Sequence, residues 1–196
     1  MLNRLLNREH QPDAEDWDRE YANGRWRYLA DLPEMARMAV IAGYAAAAGP
    51  PDPVILDIGC GEGELLKAFR HWPYRAYQGI DLSQVAIQHA RRRAGPRDQF
   101  DAADATLFTP DRAPDIIVFN EVLYYLTDVE ELVSRYLSML GPEGIAIVSV
   151  HVRRRHKRVW RSLGRVSRIV DRLVIRNDNG TAWQLALIKP LPAHPA

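Results

Sequence analysis

From about residue 53 onward, short β-type runs alternate with amphipathic stretches, and this alternation confines the chain to an α/β architecture with a largely parallel sheet. Val54-Ile55-Leu56 reads as the first strand, set off by Pro50-Pro51-Asp52-Pro53 before it and by glycines after it. Leu65 to Arg70 opens a helix. Arg75 to Ile80 reads as a second strand, and Leu82-Ser83 starts a helix that breaks at Gly95-Pro96. Gln99 to Ala103 is a short third strand. Asp115-Ile116-Ile117-Val118-Phe119 is apolar almost throughout, as a central strand covered on both faces must be. Asp128 to Leu140 has helical apolar spacing up to Gly141-Pro142, and Gly144 to Val150 follows as a fifth strand.

The C-terminal part changes character. Ile169 to Arg176 and Thr181 to Ile188 flank Asn177-Asp178-Asn179-Gly180, whose residues tolerate the positive φ of a tight hairpin, so the sheet is predicted to end in an antiparallel pair. Upstream, residues 1–32 are polar and aromatic, and Leu32 to Ala48 forms an apolar-faced helix.

A chain of 196 residues allows one ordinary domain, and 47% hydrophobic with 26% charged residues excludes a disordered or collagen-like polymer. The longest apolar run, Met38 to Gly49, is shorter than the roughly 20 residues a bilayer-crossing helix needs. The polar start, with Asn3, Arg4, Asn7, Arg8 and Glu9, does not resemble a secretory signal. Cys60 is the single cysteine, which excludes an intrachain disulfide and a cysteine-based zinc site; together these features predict a cytoplasmic protein. Charge is unevenly spread: residues 151–196 carry 11 Lys and Arg against 2 Asp, and the rest of the chain is acidic on balance.

The first strand runs into Asp57-Ile58-Gly59-Cys60-Gly61-Glu62-Gly63, where side-chain-free residues let the backbone turn sharply and lie against a ligand. A dinucleotide fingerprint requires a third glycine at position 64, and Glu64 stands there, so a dehydrogenase-type pyrophosphate site fits poorly. Asp81 ends the second strand, placed to accept both hydrogen bonds of a ribose diol. Asp104 follows the third strand, placed for the exocyclic amine of an adenine. Singly, each acid is as readily a helix cap or loop residue; jointly, they mark three successive strand ends.

Val54-Ile-Leu-Asp-Ile-Gly-Cys-Gly-Glu-Gly63, Gly79-Ile-Asp-Leu-Ser83, Asp101-Ala-Ala-Asp104, Asp115-Ile-Ile-Val-Phe-Asn-Glu-Val-Leu-Tyr-Tyr125 and Leu140-Gly-Pro-Glu-Gly-Ile-Ala-Ile-Val148 resemble the successive motifs of class I S-adenosylmethionine-dependent methyltransferases. The resemblance implies a seven-stranded Rossmann-like sheet, mostly parallel with a C-terminal antiparallel hairpin, over residues 35–196, with residues 1–34 as an N-terminal lid. It implies S-adenosyl-L-methionine as cofactor and S-adenosyl-L-homocysteine as product. The implied cofactor residues are Asp57, Gly59, Gly61, Asp81, Leu82, Asp104, Ala105 and Asn120, with Tyr21 and Trp26 closing over them from the lid. In size and aromatic N-terminus the chain is also similar to bacterial small-molecule and sugar O-methyltransferases, including those that methylate mannosides in methylmannose polysaccharide synthesis.

Methyl transfer from a sulfonium is an in-line displacement, so the enzyme chiefly aligns the acceptor and, for a hydroxyl, removes its proton. Ligands of open α/β sheets sit beyond the carboxyl ends of the strands, which brings Asn120, Glu121, Tyr124, Tyr125 and His151 to one edge. His151 is the first candidate base and Glu121 the second; Glu121, Tyr124, Tyr125 and His151 are the candidate acceptor-binding residues. A divalent metal is possible but not indicated: His151 and His156 lie five apart, about 140° around a helix, a poor ligand pair, which leaves only a magnesium assembled from distant carboxylates.

The basic stretch over residues 152–168 reads in two ways. Val152, Val159, Leu163 and Val166 fall on one helical stripe, which leaves the arginines on a solvated face; alternatively, the arginines bind an anionic or polyhydroxylated substrate, nucleic acid or a membrane surface. After the fourth strand the chain has Asn120-Glu121-Val122-Leu123, unlike the Asn-Pro-Pro-Tyr of base-amine methyltransferases, which counts against nucleic acid. The expected function is therefore O-methylation of a small-molecule hydroxyl, a sugar included. The alternatives are an RNA methyltransferase docking through residues 152–168 and a non-catalytic module that binds S-adenosylmethionine.

Overall fold

The computed structural model describes residues 12–192, so residues 1–11 of the expected lid, the polar start among them, and residues 193–196 lie outside the described part. Two helices come first, α1 (Ala14–Ala22) and α2 (Leu32–Ala48). The central body follows as β1 (Val54–Ile58), α3 (Leu66–Phe69), β2 (Ala76–Asp81), α4 (Gln84–Arg91), β3 (Asp98–Ala102), β4 (Ile116–Asn120), α5 (Val129–Ser138) and β5 (Ile145–His151). Then come α6 (Lys157–Val166), β6 (Ser167–Arg176) and β7 (Ala182–Pro190).

The strands form one seven-stranded sheet in the order β3-β2-β1-β4-β5-β7-β6. β7 runs antiparallel to β5 and β6, and the other pairings are parallel. The predicted hairpin is present: Gly180 takes φ +84°, and Asn177 and Gly180 close the turn through Asn177 N to Thr181 O (3.0 Å) and Gly180 N to Asn177 O (3.0 Å). Successive side chains of a strand point to opposite faces. Along β4, Ile116 and Val118 therefore join Met38, Ile41, Ala45 and Ile87 on one side of the sheet. Ile117 and Phe119 join Leu132, Val133, Tyr136 and Leu163 on the other. Helices α2, α3 and α4 thus cover one face and α5 and α6 the other. Each such fully buried large apolar side chain contributes about 1.5–3 kcal/mol.

Three local expectations change. The helix after the glycine loop lasts only four residues, because Gly59, Gly61 and Gly63 all take positive φ (71°, 55° and 76°) and spend the chain on turns first. The expected basic helix over residues 152–168 is shorter, Lys157–Val166, with a single 3-10 turn over Arg154–His156 before it. Val152 leaves the apolar stripe: its N–H extends the pairing with β7 by donating to Ala182 O (2.7 Å), and its side chain is exposed. The arginines of α6 face water as the stripe requires, and Arg165 pairs with Glu130 of α5 (2.8 Å). The expected boundary at residues 34/35 falls within the first turn of α2.

Candidate active site

A cavity of about 950 Å³ opens beyond the carboxyl ends of β1, β2, β4 and β5, between the sheet edge and the N-terminal segment. Its floor is the turn after β1. At Gly59 a Cβ would come within 2.5 Å of Val122, and at Gly61 within 2.8 Å of the Tyr21 hydroxyl, so both positions need glycine for space as well as for φ. The Gly61 N–H donates to Asp81 Oδ2 (2.9 Å) and the Ser83 N–H to Asp81 Oδ1 (2.9 Å), which locks the acid against the loop. Withdrawal from water pushes the Asp81 carboxyl up, and the Ser83 and Gly61 N–H groups pull it back. Each Asp81 oxygen keeps a further lone pair for a ligand. Asp104 accepts from the Thr106 N–H (2.8 Å) and hydroxyl (2.7 Å), a tight turn that fixes the carboxylate on the cavity wall beside Ala105.

The N-terminal segment forms the opposite wall. Asp18 of α1 accepts from the Ser83 hydroxyl (2.6 Å) and the Val85 N–H (3.0 Å), pinning α1 to the start of α4. Trp17, Tyr21, Trp26 and Tyr28 form a chain of ring contacts, and Trp17 meets Tyr125 edge to face at 5.0 Å. Tyr21 is buried against the glycine loop, and the Trp26 indole N–H is buried with no hydrogen-bond partner.

Of the residues expected from sequence, Tyr21, Trp26, Gly59, Asp81, Leu82, Asp104, Ala105, Asn120, Glu121, Tyr124, Tyr125 and His151 all line this cavity. Gly61 lines a small adjoining recess with Tyr21, Trp26, Gly59 and Arg37. Asp57 lines neither: it lies buried beneath the turn, where it accepts from the Tyr77 hydroxyl. Burial raises its pKa to about 7 against the pull of the Tyr77 hydrogen bond, and its Oδ1 has no partner.

The far end of the cavity is built around Glu121, which takes the strained positive φ of 62°. The strain is held by four hydrogen bonds: its N–H donates to Ser149 O (3.0 Å), and its carboxylate accepts from the Ser149 hydroxyl (2.9 Å), the Tyr124 hydroxyl (3.0 Å) and the His151 N–H (3.1 Å). Enclosure raises the Glu121 pKa, opposed by Arg37 and by these donors. His151, the last residue of β5, accepts from Arg153 Nε at its Nδ1 (3.0 Å). Partial burial, reinforced by Arg153, His156, Arg155 and Arg37, lowers its pKa to about 4. A guanidinium Nε can only donate, so the neutral ring carries its proton on Nε2. The expected base thus presents an N–H where a general base needs a lone pair.

Arg37, Thr181 and Trp183 escape sequence reasoning, while Arg153, Arg155 and His156 enter the wall from the basic stretch. Arg37 of α2 is 1% exposed, paired with Glu34 (2.7 Å), hydrogen-bonded to Asn120 and placed over the Trp183 ring at 5.4 Å. Its Nε is buried without a partner. His156 is buried, stacked on Tyr124 at 4.1 Å and 5°, and donates from Nδ1 to His151 O (2.8 Å). Arg153, Arg155, Thr181 and Trp183 complete the wall. Among the described residues no group of three or more His, Cys, Asp or Glu is placed to hold a metal, and no helix is long and apolar enough to cross a membrane.

Comparison with known proteins agrees with this geometry. Over 97 residues, 48% of this chain, the sequence is 40% identical to the trans-aconitate 2-methyltransferase of Methylobacterium radiotolerans. The chain spans little more than a third of the length of the curated relatives it matches, 36% and 38% for two of them. In structure it is similar to the N-methyltransferase NodS of Bradyrhizobium japonicum in complex with S-adenosyl-L-homocysteine, with a TM-score of 0.75 and 23% identity, covering 90% of this chain and 97% of that one. It is also similar to the magnesium protoporphyrin IX methyltransferase of Synechocystis with bound S-adenosyl-L-homocysteine, at a TM-score of 0.72 and 14% identity, with coverage of 90% and 97%. These likenesses identify the class I methyltransferase fold. A family model described as a methyltransferase domain matches residues 16–184, and the chain belongs to that family.

Proposed function

We propose that the chain transfers a methyl group from S-adenosyl-L-methionine to an oxygen atom of a small-molecule acceptor. The observation that carries this reading is the Gly61–Asp81 lock at one end of a cavity of about 950 Å³ whose other end holds polar side chains of its own. That volume lies at the upper end of the roughly 300–1,000 Å³ typical of small-molecule sites, which suits a cofactor together with an acceptor.

The residues present fit the cofactor. Asp81 would hold the ribose hydroxyls and Asp104 the adenine amine, with Leu82 and Ala105 against the base. Trp26 and Arg37 line both the cavity and the recess beside the glycine loop, and each keeps a buried N–H without a partner. When bound, the cofactor supplies an electrophilic methyl on sulfonium. The chain's own work is then to seat the acceptor, exclude water with the aromatic N-terminal wall and align the incoming oxygen.

Oxygen is favoured over nitrogen because Arg153 and Arg155 at the acceptor end suit an acceptor group that carries or develops negative charge. A hydroxyl acceptor, a sugar among them, must lose a proton, and His151 and Glu121 are the candidate groups to take it at this end. Isothermal titration of the purified chain with S-adenosyl-L-homocysteine, followed by a screen for its release from S-adenosyl-L-methionine against sugars, phenols, acids, amines and RNA, tests the reading. Absence of S-adenosyl-L-homocysteine binding by a folded chain, or NAD binding more tightly, overturns it.

A further inference from the structure

The acceptor end of the cavity carries two guanidiniums, Arg153 and Arg155, among its lining residues. Arg153 and Arg155 leave the segment after β5 side by side, and each directs its Nε to a histidine: Arg153 to His151 Nδ1 (3.0 Å) and Arg155 to His156 Nε2 (3.1 Å). Because guanidinium nitrogens never accept, both rings are fixed as neutral tautomers of opposite kind. His156 uses its remaining N–H on His151 O (2.8 Å), so both its nitrogens are engaged. His151 keeps Nε2–H free of any partner among the described residues. The histidines therefore act as tethers that hold two guanidiniums at the cavity wall.

Neither guanidinium has an ion-pair partner among the described residues, although Arg19, Arg25, Arg70, Arg93 and Arg165 elsewhere on the molecule do. The nearby carboxylate, Glu121, already accepts from the Ser149 and Tyr124 hydroxyls and the His151 N–H. Two guanidiniums without an ion-pair partner and one imidazole N–H thus belong to the wall of a site whose carboxylate, Glu121, is already held by three donors. A planar oxyanion that accepts in pairs matches a guanidinium fork best.

We propose that the acceptor is an organic carboxylate, seated by Arg153, Arg155 and the His151 Nε2–H and methylated on its own oxygen. This rests on the reading of the chain as a methyltransferase acting on oxygen and names the acceptor class of that site. A carboxylate, with an ordinary pKa near 4, reaches the site already ionised, so no base is needed. A carboxylate oxygen lone pair forms the new O–CH3 bond as the S–CH3 bond breaks, and the electron pair of that bond returns to sulfur. The sulfonium becomes a thioether, the carboxylate becomes a methyl ester, and no proton moves.

The test uses the whole chain loaded with S-adenosyl-L-homocysteine and a panel of mono-, di- and tricarboxylates, each paired with its primary amide and with a neutral polyol of like size. At least one carboxylate is expected to bind ten-fold or more tightly than its amide. With methyl-labelled S-adenosyl-L-methionine, the label should enter a product that releases it as methanol in mild alkali. Arg153→Gln and Arg155→Gln, both at exposed residues, should each raise the KM for that carboxylate about ten-fold while leaving S-adenosyl-L-homocysteine affinity within two-fold. If S-adenosyl-L-homocysteine binds but every carboxylate binds no better than its amide, the proposal falls and the methyltransferase reading stands. The proposal falls in the same way if the label enters an alkali-stable ether or a phosphate ester. An unchanged KM in both arginine variants overturns the seat. Failure of S-adenosyl-L-homocysteine to bind at all is a failure of the broader reading instead.

Discussion

The two ends of the cavity are made in different ways. The end that fits the cofactor is made by backbone: three glycines at positive φ turn the chain after β1, and the N–H groups of Gly61 in that turn and of Ser83 after β2 clamp Asp81. The acceptor end is made by side chains brought from afar, with Arg37 from α2, His151 and Arg153 from the end of β5, Thr181 and Trp183 from the hairpin. The first is a local device, repeated wherever a strand must deliver a ligand to a helix start. The second is assembled only when the sheet closes, and it is where one member of a family can differ from the next.

This comparison is broken most severely at the glycine loop. Gly59→Val places a Cβ 2.5 Å from Val122 at a φ of 71°, in a segment held from both sides. We expect S-adenosyl-L-homocysteine affinity to fall at least 100-fold, read by calorimetry, with a stability loss of about 1–3 kcal/mol from the left-handed conformation alone. Near-normal affinity in this variant would mean that the cofactor does not lie against the turn.

Asp81→Ala comes next. On the proposed reading it removes two charge-assisted hydrogen bonds to the cofactor's ribose, and it frees the Gly61 and Ser83 N–H groups, so S-adenosyl-L-homocysteine binding should weaken by about 1.5–3 kcal/mol. A folded variant with unchanged affinity would take Asp81 out of the site.

The same contrast explains what can be read from the sequence. The largely parallel sheet, the hairpin and the places of Asp81 and Asp104 at strand ends follow from strand patterning and from turn residues whose neighbours in sequence are also their neighbours in space. Asp57 shows the limit of that reading: its position in the motif is right for the loop, yet it faces inward to Tyr77, since the last residues of β1 alternate sides. Arg37 is invisible in the sequence because nothing in Leu32 to Ala48 marks one arginine on an apolar helix as the one that will meet Asn120 and Trp183 across the sheet. The shortness of α6 is hidden for a related reason. A helical stripe that includes Val152 is satisfied equally well by a strand extension, and pairing with Ala182 decides the matter.

The protonation of His151 sharpens the comparison by a smaller effect. Its pKa in the folded chain is lowered to about 4, below the 6.5 of an unperturbed imidazole, so the unfolded chain takes up the proton first as pH falls. The contribution of this group to stability is therefore complete above about pH 6.5 and is lost as pH drops towards 4. His151→Gln should flatten that part of the denaturation midpoint against pH. In turnover, the wild-type enzyme should show no limb near pH 6.5 that vanishes in the variant. Such a limb would restore His151 as a general base and, with it, a hydroxyl acceptor.

The smallest effect is expected within one run of basic residues. Arg153 and Arg155 line the cavity, whereas Arg154 and Arg158 do not and are exposed on the outer side of the turn and of α6. If the run were a general anionic docking surface, all four would contribute alike and in a salt-dependent way. If the alternation separates a seat from a solvated face, Arg154→Gln with Arg158→Gln should leave S-adenosyl-L-homocysteine and acceptor binding within two-fold and stability within about 0.5 kcal/mol, because isolated surface charges contribute little. Filter binding of labelled RNA at two salt concentrations supplies the control. Tight RNA binding that weakens steeply with salt and disappears in the double variant would make the outer arginines the functional set, and the acceptor a nucleic acid.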